Sequence, residues 1–82
     1  MTMRKEEIEE EEFLIREYSK VELAVLYNPR MRTESAMKKL NRWIRGNKDL
    51  MKDLEAINWH PQRHSYLPHE VKLIVNYIGL PG

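Results

Sequence analysis

Ala36, Met37, Leu40, Trp43 and Ile44 place apolar side chains at positions i, i+1, i+4, i+7 and i+8 of one segment. That recurrence follows the 3.6-residue period of an α-helix and leaves one apolar stripe that other elements must cover. Thr33 is the expected N-cap, Glu34 sits near the positive helix end, and Gly46 suits the stop. The rest of the chain is punctuated so as to supply the cover. Ser19 and Glu22 have capping-box spacing and open a helix through Val21, Leu23, Ala24, Val25, Leu26 and Tyr27, which Asn28-Pro29 stops. Asn47 or Asp49 can cap a third helix, striped by Leu50, Met51, Leu54 and Ile57 and ending near Asn58. Pro68 suits the first position of a fourth, striped by Val71, Ile74, Val75 and Ile78 and closed by Gly79, Leu80 and Pro81.

Two segments are too short for helices. Phe13 to Tyr18 reads as a strand or as an extended arm on the core, and Arg63 to Tyr66, within the Trp59–Leu67 loop, is its candidate partner. The expected fold is therefore mainly α: a compact bundle of about four helices containing a helix-turn-helix-like pair, with a small two-stranded β-ribbon. One helical domain is expected over residues 13–82, preceded by an acidic, flexible extension over 1–12. A chain of 82 residues buries one small core and has little left to wall a deep catalytic cavity. With no cysteine there are no disulfides, thiolate zinc sites or cysteine nucleophiles, which fits a reducing compartment. The first residues lack the apolar core of a secretory signal, and no run approaches eighteen apolar residues. The expectation is a cytoplasmic protein without a membrane partner.

A net charge of +1 hides a split. Residues 1–12 hold Arg4 and Lys5 against six glutamates, a net of −4, and the other seventy hold twelve basic against seven acidic residues, a net of +5. From Arg30 to Lys48 there are seven basic residues against Glu34 alone, a net of +6. Stepping 100° per residue, Ser35, Lys38, Arg42 and Arg45 fall opposite the apolar stripe, with Lys39 and Asn41 on the flanks. A short helix, a turn and a second helix with such a face outline a helix-turn-helix. On that reading Lys38, Lys39, Arg42 and Arg45 with Ser35 meet double-stranded DNA in the major groove. Arg30, Arg32 and Lys48 meet its phosphates. The same charge also fits a helix that is basic only for solubility. The connection Asn28-Pro29-Arg30-Met31-Arg32 is longer than the usual turn and has no glycine.

The central residues resemble a known family. Glu22-Leu23-Ala24, Leu26-Tyr27, then Ala36, Leu40 and Arg42-Trp43-Ile44 are similar to the core motif of short Bacteroides-type bacterial proteins catalogued as a domain of unknown function. Pro68, Val71, Ile74 and Ile78-Gly79-Leu80-Pro81 are similar to that family's closing helix. Leu67 departs from the pattern, since a Ser or Thr cap is expected before Pro68. The resemblance covers about residues 13–82 and implies a domain boundary and a bacterial cytoplasmic setting. It implies no activity.

Catalysis is not expected. No Ser/His/Asp set, glycine-rich phosphate loop or metal triad can be assembled, and the glutamate run is not a pair held in a shaped pocket. His60 and His64 are four apart, but Pro61 removes the helix that would align them, and His69 lies further on. No metal or other cofactor is implied. Trp43 lies in the apolar stripe and is expected to pack in the core, whereas Trp59 fits either packing or base stacking. Besides DNA, a homodimer or a protein partner is a candidate. Leu73 and Tyr77 lie off the stripe of the last helix and, with Leu80, are candidates for an exposed apolar patch. The opposite charges also suggest that the acidic head folds onto the basic helix and competes with nucleic acid.

Overall fold

The computed structural model describes residues 13–81. The expected acidic extension over 1–12 lies outside the described residues. Four helices form among the described residues: α1 (Lys20–Tyr27), α2 (Thr33–Gly46), α3 (Lys48–Ala56) and α4 (Pro68–Ile78). Two short strands, β1 (Tyr18–Ser19) and β2 (Ser65–Tyr66), pair antiparallel with Tyr18 opposite Tyr66 and Ser19 opposite Ser65. The expected bundle and ribbon are both present, and the ribbon takes up only the ends of the two segments proposed for it. Because β1 runs directly into α1, β2 leads to α4 and the pair is antiparallel, the two helices leave from opposite ends of the ribbon. Lys20 N–H extends the pairing by donating to the His64 carbonyl at 2.9 Å.

Local chemistry explains where each helix begins and ends. Ser19 Oγ accepts from Glu22 N–H at 3.0 Å, as its spacing predicts. The Glu22 carboxylate pairs with Arg16 at 2.9 Å, which holds its pKa below the usual carboxylate range. Thr33 does not cap α2. Arg32 occupies the N-cap position without a side-chain hydrogen bond, and Thr33 is already helical. The backbone supplies that turn instead, with Ala36 N–H donating to the Arg32 carbonyl at 2.8 Å. Asn47 closes α2 through its own N–H and opens α3 through its side chain, whose Oδ1 accepts from Leu50 N–H at 3.0 Å. One residue thus sets the corner between the two helices.

The end of α3 is a Schellman arrangement. Trp59 N–H donates to Leu54 C=O and Asn58 N–H to Glu55 C=O, with Asn58 at φ 63°. This wraps Trp59 back over the helix end and buries it. At α4, Leu67 has no side-chain acceptor, and its N–H donates to Glu70 Oε1 at 2.8 Å. The buried Glu70 carboxylate also pairs with Arg63.

One core joins the four helices and the ribbon. Leu23 and Ala24 from α1, Ala36, Leu40 and Ile44 from α2, Leu50 and Leu54 from α3, and Val71 and Ile74 from α4 are all buried. Tyr18 and Tyr66 close it at the ribbon, and Trp59 at the end of α3. No helix among the described residues is long and apolar enough to cross a membrane.

Candidate nucleic-acid interface

The core determines which face of α2 meets solvent. With Ala36, Leu40 and Ile44 buried against the other helices, Ser35, Lys38, Asn41, Arg42 and Arg45 are exposed and Lys39 is half-buried. Arg30 and Arg32 are exposed in the α1–α2 turn, and Lys48 is exposed as the first residue of α3. All eight residues predicted to contact nucleic acid therefore lie on one helix and its two ends. Glu34, in the first turn of α2, is the one carboxylate of that helix.

The basic face has two differently built flanks. On the first, Lys38, Asn41 and Arg45, spaced i, i+3 and i+7, share a ridge of α2. With Lys20, Pro61 and Tyr66 they line an open cleft of about 260 Å³. Arg45 Nε donates to Asn41 Oδ1 at 3.4 Å. Lys20 Nζ donates to the Pro61 carbonyl and lies 5.5 Å from the Tyr66 ring centroid and 5.9 Å from that of Trp59. Burial lowers the Lys20 ammonium pKa, and repulsion from Arg45 and Arg63 lowers it further against a smaller opposing pull from Glu70.

Lys20 is the member of this surface that the sequence reading missed. It sits on a different helix from the basic stretch, and only the pairing of residues 18–19 with 65–66 swings it beside Pro61 and Tyr66. Charge periodicity along one helix carries no trace of that.

On the second flank, Lys39 Nζ lies 5.3 Å from the Trp43 ring centroid. Arg42 and Lys48 border a shallow depression with Trp43, Asn47 and Asp49. Trp43 is 36% exposed, not packed in the core. The central positions are filled by Ala36, Leu40 and Ile44, which leaves the indole at the edge of the stripe. There it meets Tyr27 edge-on, with centroids 6.2 Å apart. Tyr27, Trp43, Ile78 and Leu80 together line an apolar groove. Arg30, Arg32 and Ser35 line neither the cleft nor this groove.

The apolar surface at the end of α4 differs from the expected one. Leu73 packs against the core and is not part of an exposed patch, whereas Tyr77 is exposed as expected, with its hydroxyl donating to Asp53 Oδ2 at 2.6 Å. Leu80, 54% exposed, is instead grouped with Ile78 and the aromatic pair. Trp59, which sequence alone left open to stacking, is 7% exposed and belongs to the core. His60, His64 and His69 are exposed, and among the described residues no three His, Asp or Glu side chains gather as metal ligands.

Fold and surface together define a small, mainly helical domain whose longest helix turns a basic face to solvent. Residues 14–81 match the family described as "Domain of unknown function (DUF4248)", and the chain belongs to that family. No curated protein and no solved structure matches it.

Proposed function

We propose that this protein is a non-enzymatic DNA-binding or regulatory accessory protein of helix-turn-helix type that presents α2 to duplex DNA. The observation that carries the reading is the exposed positive charge along α2, from Arg30 and Arg32 at one end to Lys48 at the other, opposite a stripe whose central residues Ala36, Leu40 and Ile44 are buried. A helix of 14 residues is about 21 Å long, enough to cross a major groove about 12 Å wide and still reach phosphates on both sides. In this reading Ser35, Lys38, Lys39, Arg42 and Arg45 enter the groove, while Arg30, Arg32 and Lys48 hold the backbone. One copy offers a small contact, so a homodimer or a protein partner would supply the remaining affinity. The setting we infer is the bacterial cytoplasm, from the family resemblance and the lack of cysteine.

Fluorescence anisotropy with a labelled duplex tests this reading. Affinity should fall steeply with salt, and a Lys38→Ala/Arg42→Ala double variant should lose nearly all of it. No binding at low salt would sink the reading.

A second reading is favoured by the apolar groove of Tyr27, Trp43, Ile78 and Leu80. Exposed aromatic and aliphatic groups gathered in one concave place suit a protein partner. This makes the C-terminal end of α4 an interaction surface, and no loss of duplex binding in a Leu80→Ser variant would be expected.

A further inference from the structure

The cleft between the start of α1, the first flank of α2 and the Trp59–Tyr66 loop gathers cations without a carboxylate to meet them. Lys20, Lys38 and Arg45 line it, and no acidic side chain is among its lining residues. The nearby Arg63 is different, because the buried Glu70 already takes its charge. Crowding cations round one concavity is unfavourable unless an anion is present, and Lys20 feels Arg45 across it: its ammonium pKa is lowered by burial first, then by Arg45 and Arg63, against an opposing pull from Glu70.

The donors are also held in place. Lys20 is tethered through one hydrogen bond to the Pro61 carbonyl, which leaves its other two N–H groups for a ligand. Arg45 Nε engages Asn41 Oδ1, so the Asn41 amide nitrogen and the outer guanidinium nitrogens remain as donors. A fork-shaped guanidinium, two ammoniums and an amide N–H₂ supply enough charged donors for the several oxygens of one phosphate.

We propose that this cleft binds a phosphate monoester, held by Lys20, Lys38 and Arg45 with the Asn41 amide as a fourth donor. Such a group carries roughly −1.5 to −2 charge at neutral pH and three strong acceptor oxygens, where a chain phosphodiester carries one charge and two free oxygens. The ligand is therefore a terminal phosphate, on a small phosphorylated metabolite or on the 5′ end of a nucleic acid strand. The site shares Lys38 and Arg45 with the face proposed for duplex DNA, yet phosphate binding there does not require that a duplex binds.

The test uses the full chain and two-dimensional amide NMR. Inorganic phosphate should give saturable shifts centred on Lys20, Asn41 and Arg45, and sodium chloride at matched ionic strength should not. A 5′-phosphorylated oligodeoxynucleotide should move the same signals more than its 5′-hydroxyl counterpart if the ligand is a strand end. A pentose 5-phosphate binding more tightly than either would assign the metabolite.

Arg45→Ala should weaken phosphate binding about tenfold, equivalent to one charged hydrogen bond. Lys72→Ala removes the same charge from an exposed site on α4 and should leave it unchanged. Equal shifts with chloride, or equal weakening by the two variants, would show diffuse charge screening and overturn the proposal. Saturable phosphate binding supports it whether or not the protein binds a duplex.

Discussion

At the scale of single residues, the buried polar groups are the informative ones. Glu70 is fully buried, yet its carboxylate accepts from Leu67 N–H and pairs with Arg63, so one side chain starts α4 and ties it to the loop before β2. Tyr66 has a titration consequence. Burial, aided by Glu70 and partly opposed by Arg45, pushes its phenol up to about 12. An unfolded tyrosine loses its proton near pH 10, so above that pH the unfolded chain ionises first and stability falls as pH rises. Below pH 10 the contribution is fully present. Tyr27, pushed up by burial to about 12, acts in the same window and the same direction. A two-unit shift at a buried site is worth on the order of 2 kcal/mol. Tyr66→Phe should therefore flatten the loss of urea resistance between pH 10 and pH 12 while leaving the pH 7 midpoint little changed. An unchanged alkaline slope in that variant would place the titration elsewhere.

At the scale of elements, the helix ends separate what the sequence shows from what only the fold supplies. Local rules locate the Ser19 cap and Pro68 at the first position of α4 and narrow the α3 cap to Asn47 or Asp49, of which the fold uses Asn47, because each acts on neighbours within one turn. The same rules named Thr33 as a cap and were wrong by one residue, because the backbone at Arg32 already has extended geometry and leads straight into the helix. From sequence, Asn58 marks only where α3 stops. Its positive φ makes it the left-handed residue of a Schellman ending, which explains the burial of Trp59 directly after it. The basic stretch on α2 was legible by periodicity, whereas Lys20 and the cleft needed the β1–β2 pairing between segments nearly fifty residues apart.

Asn58 gives the prediction at this scale. Asn tolerates the left-handed region better than most residues, and Gly adopts it without a Cβ penalty. Asn58→Gly should stabilise the protein by about 0.5 kcal/mol, and Asn58→Ala should destabilise it by about 1 kcal/mol. Chemical denaturation at neutral pH checks both signs. Stabilisation by alanine would mean that this helix end is not held in the left-handed region in solution.

At the scale of the whole molecule, the distribution of charge matters more than its total. The +5 carried by residues 13–82 is concentrated along α2 and its two ends, while residues 1–12 contribute −4. An acidic segment attached to such a domain lowers the potential felt by an approaching polyanion, and salt screens the effect with a Debye length of about 10 Å at 0.1 M. Removing residues 1–12 should therefore tighten duplex binding at low salt, and the two chains should converge as salt rises. Two mechanisms make different demands on that gain. General repulsion depends only on net charge, so glutamine at the six head glutamates, which takes the chain from +1 to +7, should tighten binding at least as much as deletion, which takes it to +5. Competition by the head for the face of α2 adds an intramolecular term that can be read without DNA: the truncated chain should show shifted amide signals for Lys38, Arg42 and Arg45. If those signals coincide in the two chains at low salt, the head does not occupy the basic face, and any gain in affinity reports net charge alone.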